Sequence, residues 1–197
     1  MTLLKKISIT IFCFILASCT GSRVTEVLQS SHNIPDQKNI LVVGSFRKDT
    51  NRSIFEDSIV EQLKAGNIQA TQSYKSGAEL SKESILKSVK ENGYTMVIVT
   101  TLRAIQRRDV YLPSDLATVD EYYGNMLSYF DYTHSEVSKP LPGQLSTVTL
   151  ETSVYNAENR EILLSVSTET DDPRDVASKA KGLAKELIRT FKKHNIL

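Results

Sequence analysis

The chain has 197 residues, with 24 basic against 23 acidic side chains and 7% aromatic residues, none of them tryptophan. This near-neutral balance lacks the basic excess of a nucleic-acid-binding domain, and only two cysteines, Cys13 and Cys19, are available for disulfide or thiolate-metal chemistry. The length suits one domain with an apolar core of its own.

The chain opens on a short basic start, Met1 to Lys6, followed by an apolar run from Ile7 to Leu16 and small residues leading into Cys19. A run of ten residues is too short to cross a bilayer as a helix, which takes about 20. It reads instead as the export segment of a signal peptide. Leu16-Ala17-Ser18-Cys19 resembles the lipobox of bacterial lipoproteins. The resemblance implies that residues 1–18 are removed and that Cys19 carries a diacylglyceryl group as the first mature residue. The remaining chain then keeps one cysteine, consumed by lipid. Without Lys5 and Lys6 its basic residues fall to 22 against 23 acidic ones. Sorting of such lipoproteins retains those with aspartate after the cysteine in the inner membrane. Thr20 at that position implies the outer membrane, facing the periplasm, or the outer face of the plasma membrane in an organism without one.

Residues 19–38 are predicted to be the lipidated cysteine and a polar tether, the tether running from Thr20 to Lys38 with no apolar pattern apart from a turn of helix suggested by Val24, Val27 and Leu28. Such a segment spans roughly 60 Å fully stretched and about 25 Å as a coil. The folded domain is expected over residues 39–197.

Ile40-Leu41-Val42-Val43 is a continuous apolar run, the pattern of a strand buried on both faces. Thr50 or Asn51 is the expected cap of a helix carrying Phe55, Ile59 and Leu63 on one face and closed by Gly66. Ile68 to Tyr74 alternates weakly, as an edge strand does. Ser81 caps a second helix with Ile85, Leu86 and Val89 inward and Asn92-Gly93 as its stop. Met96 to Val99 is the second fully apolar run. This β-α-β-α-β order predicts parallel strands joined by right-handed crossovers, with both apolar strands central and the polar one outside.

After a connection at about 108–144, Leu145 to Tyr155 alternates. Val148, Leu150, Thr152 and Val154 fall on one face, and Thr147, Thr149, Glu151 and Ser153 on the other, predicted outward, face. Asn156 to Asn159 form a turn, and Ile162, Leu164 and Val166 return as the partner of an antiparallel hairpin. Asp171-Asp172-Pro173 has the chemistry of a helix start. The last helix carries Val176, Leu183, Leu187, Ile188 and Phe191 at helical spacing, a set worth about 8 to 12 kcal/mol if fully buried. The expected fold class is α/β, a single mixed-sheet domain of β-α-β-α-β followed by an antiparallel hairpin and a C-terminal helix.

His32, His134 and His194 share no spacing with acids, serine or cysteine that makes a metal site or a nucleophile pair, so no metal and no cofactor are expected. Gly44-Ser45-Phe46 sits where phosphate loops sit, but one glycine is not the dinucleotide fingerprint and no Walker lysine follows. Open α/β sheets bind ligands beyond the carboxyl ends of their strands. Ser45, Arg47, Lys48 and Arg103, beside Thr100 and Thr101, are therefore candidates for an anion-accepting crevice. The connection holds Tyr111, Tyr122, Tyr123, Tyr129, Phe130 and Tyr132, interleaved with Asp115, Asp120, Glu121 and Asp131. Loop aromatics are good anchors for a protein or sugar partner. The alternative is that they pack over a bare sheet face.

The hairpin-and-helix block from Leu145 to Leu197, joined to a β-α-β-α-β half and preceded by a tyrosine-rich connection, resembles a widespread group of bacterial envelope lipoproteins. Their fold is similar to the Tol-system N-terminal domain, the lipoprotein activators of peptidoglycan synthases and the curli secretion lipoprotein. The likeness carries no site residue besides Cys19. A 19-residue tether is too short to reach across the periplasm, and Glu151 at mid-strand is unsuited to a lipid-facing pore hairpin. The expected function is a non-enzymatic envelope lipoprotein, anchored in the membrane through its lipid and binding an envelope protein or cell-wall glycan. The alternatives are an enzyme acting on glycan or lipid through Asp115, Asp120 or Glu121, or a structural subunit of an outer-membrane assembly.

Overall fold

In a computed structural model that describes residues 21–30, 33–76, 80–107, 146–171 and 175–197, six strands form one mixed sheet. In chain order the elements are β1 (Ser22–Gln29), β2 (Asn39–Ser45), α1 (Asp49–Ala65), β3 (Gln69–Gln72), α2 (Lys82–Asn92), β4 (Met96–Arg107), β5 (Ser146–Asn156), β6 (Ile162–Asp171) and α3 (Val176–Lys193). The sheet order is β1-β6-β5-β4-β2-β3. β2 is parallel to β3 and β4, and the remaining neighbours are antiparallel. The α/β class, the central place of the two apolar runs and the β5–β6 hairpin all match the sequence pattern.

Both sheet faces are covered, because residues of the central strands are apolar on both sides. Ile40, Val42, Met96, Ile98, Val154 and Leu164 face α1 and α3, whose Ile59, Leu63, Leu187 and Phe191 are fully buried against them. Leu41, Val43, Val97, Val99 and Tyr155 face the other way, toward Ile85 of α2 and Tyr94. The Ser81 hydroxyl accepts from Ser84 N as the cap of α2, and Gly93 closes that helix at φ 61°.

Four expectations change. Residues 22–29, read as tether, form β1, pairing with β6 from Ser22↔Thr170 to Gln29↔Leu164 and laying Val24 and Val27 on the core. The apolar face of α3 extends past β6, and β1 covers the edge that would otherwise be open. The N-cap of α1 is Lys48, without a side-chain cap bond, rather than Thr50 or Asn51. α3 is capped by Asp175, whose carboxylate accepts from Ser178 N, while Asp171 ends β6. Finally, Glu151 and Ser153 are buried rather than outward, 0% and 1% exposed, and Glu151 is held in place by Arg103 from β4 and Ser165 from β6.

Candidate functional site

At the carboxyl end of β2 the chain fills the expected ligand position with one of its own groups. β3 ends at Gln72, paired with Val42, so the Gly44 amide has no strand to bond to on that side. Glu56, two turns into α1, supplies the acceptor. Its Oε1 takes hydrogen bonds from Gly44 N (2.9 Å), Arg52 Nε (2.9 Å) and Ser73 Oγ (2.7 Å), and its Oε2 takes one from Tyr74 N (3.1 Å). Arg52 Nη2 also donates to Ser73 Oγ at 2.8 Å. Position 44 must be small, since a Cβ there would meet the Phe46 ring at 3.0 Å, and that ring stands edge-on to Phe55.

The residues named for an anion crevice are therefore split. Arg47 and Lys48 are exposed on the β2–α1 connection. Ser45 lies under the surface, 6% exposed, with its hydroxyl unpartnered. Arg103 is drawn to the sheet instead, its Nε 2.9 Å from Glu151 Oε2. Glu151 Oε1 accepts from Ser165 Oγ at 2.8 Å, and Ser165 Oγ is 3.0 Å from Ser153 Oγ. Ser45, Thr101, Glu151 and Ser167 follow one another across four strands by register, a polar row in a face that is apolar further down. On the opposite face Thr100 and Thr152 share a hydroxyl contact of 2.9 Å.

A second polar group sits where β3 ends. Asp57 accepts from Gln72 Nε2 (2.7 Å), from the Tyr74 hydroxyl (2.9 Å) and from Lys75 Nζ (3.2 Å). Partial burial pulls the Asp57 carboxyl upward, but these three hydrogen bonds together outweigh it and hold the carboxyl below its ordinary value. Hydrogen bonding with Tyr74 and Asp57 raises Lys75.

At the other end of the sheet a cleft of about 510 Å³ lies between α2 and the β5–β6 turn, with Leu86, Val89, Tyr94 and Ala157 beside Lys90 and Arg160. Two of its polar neighbours are occupied. Asn156 Oδ1 accepts from Glu158 N, and Thr95 Oγ1 donates to Gln37 O.

No family model matches this chain, and no curated protein matches it. Solved structures do. The PelC dodecamer from Paraburkholderia phytofirmans is 12% identical over 82% of this chain and 93% of that one, with a TM-score of 0.46. Lipoprotein GNA1162 from Neisseria meningitidis is 12% identical over 79% and 99%, with a TM-score of 0.42. A PDZ domain protein from Parabacteroides distasonis is 13% identical over 83% and 35%, with a TM-score of 0.37. At these identities the likeness assigns no residue a role.

Cys19, the six aromatics Tyr111, Tyr122, Tyr123, Tyr129, Phe130 and Tyr132, and the acids Asp115, Asp120, Glu121 and Asp131 lie outside the described residues, as do His32 and His134. His194 caps α3, its Nδ1 2.7 Å from Gln29 Oε1. Sequence reasoning does not pick out the two buried carboxylates among the described residues, Glu56 and Glu151. Arg52 and Glu56 at i,i+4 just beyond an apolar strand were a usable signal for the first. Nothing local marked the second.

Proposed function

We propose that this chain is a non-enzymatic, lipid-anchored protein of the bacterial cell envelope, a binding or adaptor module held at the outer membrane that engages an envelope protein or cell-wall glycan through its 108–144 connection. One observation carries the reading. The ordered signal Leu16-Ala17-Ser18-Cys19 is followed, after Thr20 alone, by Gly21, whose carbonyl accepts from Asp171 N at 3.1 Å. Two Cα steps reach at most about 7 Å. The lipid on Cys19 thus holds the edge of the sheet close to the bilayer, without the tether predicted from sequence.

The topology supports the partner-binding half. β1 begins, and β4 leads into the connection, at the same end of the sheet, since β1 is antiparallel to β6 and β6 is parallel to β4. Both buried carboxylates among the described residues are engaged in contacts that hold strands together, which favours a binding role over acid–base chemistry. The test compares the native protein with Cys19→Ser in cells. Mass spectrometry of the N-terminal peptide should find the diacylglyceryl adduct on the native protein alone, which should fractionate with outer membranes. Crosslinking should capture a partner that is lost when the six aromatics are changed to alanine. An unmodified N-terminus overturns the anchor, and capture independent of the aromatics overturns the binding surface.

A further inference from the structure

α3 carries its buried side chains on one face and a row of cations on the other. Lys181, Lys185, Arg189 and Lys192 are all exposed, and at 100° per residue they fall within an arc of about 80° and a length of about 17 Å. Arg189 is paired with Glu186 on the same helix, at 2.7 Å. Lys181, Lys185 and Lys192 form no ion pair among the described residues. Lys193 extends the row at the helix end. Among the described residues the acids on or beside this helix are few. Besides Glu186, Asp175 caps the helix, and Asp171 is engaged by Arg23 and Thr147. On the neighbouring α1, Glu61 and Lys64 are both exposed.

The row begins beside the anchor. Gly21 lies against the first turns of α3, where a Cβ on it would come within 3.3 Å of Lys179 Nζ, and Cys19 is two residues further back. The helix thus starts at the point where the lipid would enter the bilayer, and its solvated face has the sign that an anionic surface attracts.

We propose that the exposed face of α3 lies on the anionic lipid surface that holds the anchor, with Lys181, Lys185, Arg189 and Lys192 contacting phospholipid headgroups. The orientation rests on the reading of Cys19 as lipidated, whereas the charge contact does not require it. A basic stripe and acyl chains act as two signals for one membrane. Each cation near an anionic surface strengthens binding by roughly five-fold. Contact along α3 lays the sheet beside the bilayer and leaves the α2 face and its cleft turned away.

The test uses the mature chain with Cys19→Ser, so that no lipid contributes. It is sedimented at low salt with vesicles of phosphatidylcholine and phosphatidylglycerol at 3:1, and with pure phosphatidylcholine vesicles. The protein should bind the first and not the second. The triple variant Lys181→Glu, Lys185→Glu, Lys192→Glu should lose at least about ten-fold of that binding while keeping its thermal midpoint. The pair Lys87→Glu, Lys90→Glu on α2 should leave binding unchanged. No sedimentation with anionic vesicles, or equal loss from the α2 pair, overturns the proposal. Failure of the anchor is read separately, from an unmodified Cys19 in the native protein.

Discussion

Glu56 Oε1 lies 2.9 Å from the Gly44 amide nitrogen, so a side chain from α1 completes the hydrogen bonding of a strand whose neighbour has already turned away. The same oxygen accepts from Arg52 and Ser73, which ties the end of β2, the start of α1 and the exit of β3 into one knot.

Replacing Glu56 by alanine should therefore be severe. It strands the Gly44 and Tyr74 amides and removes the carboxylate facing a guanidinium that is itself buried. The expected loss is about 3 to 5 kcal/mol, read from urea unfolding. Exposed Glu61→Ala on the same helix should change stability by less than about 0.5 kcal/mol.

Glu151 gives a sharper contrast, because strand alternation alone places it outward. An outward glutamate changed to alanine would shift stability by no more than about 0.5 kcal/mol. The buried carboxylate that receives Arg103 and Ser165 should show a loss of about 3 kcal/mol or more in thermal unfolding. The double variant Arg103→Met, Glu151→Leu should recover part of that loss, since an apolar pair leaves no charge without its counterpart.

β1 is tested through Val27, which pairs with Val166 and packs on the core. Val27→Asp should destabilise the domain by about 1 to 3 kcal/mol and expose the β6 edge to intermolecular pairing, seen as aggregation in light scattering. A tether would tolerate the change without effect.

Asp57 predicts a pH dependence. Its folded carboxyl titrates below the ordinary aspartate value, so its contribution to stability is fully present above about pH 3.9 and disappears as the pH falls through the lower folded value. The stability difference between the native protein and Asp57→Asn should favour the native protein near neutrality and shrink toward zero in acid. A difference that grows as the pH falls would mean that the carboxyl is raised instead.

Local chemistry was enough for the elements whose side chains announce their own environment. Ile40 to Val43 and Met96 to Val99 had to be central because every residue in them is apolar. Ser81 and Gly93 bracketed α2 by cap chemistry, and alternation from Val148 to Val166 set the hairpin. The tertiary structure alone decided β1. Val24 and Val27 are three residues apart, a helical spacing, yet both face the core of a sheet because a bulge falls between Val24 and Glu26 and shifts the register at Thr25. It also decided which acids are buried. Glu56 is 17 residues from Ser73 and Glu151 is 14 from Ser165, and no local pattern records that such partners will meet. Periodicity reports the average environment of a stretch, whereas a buried charge depends on a few donors brought together by the sheet.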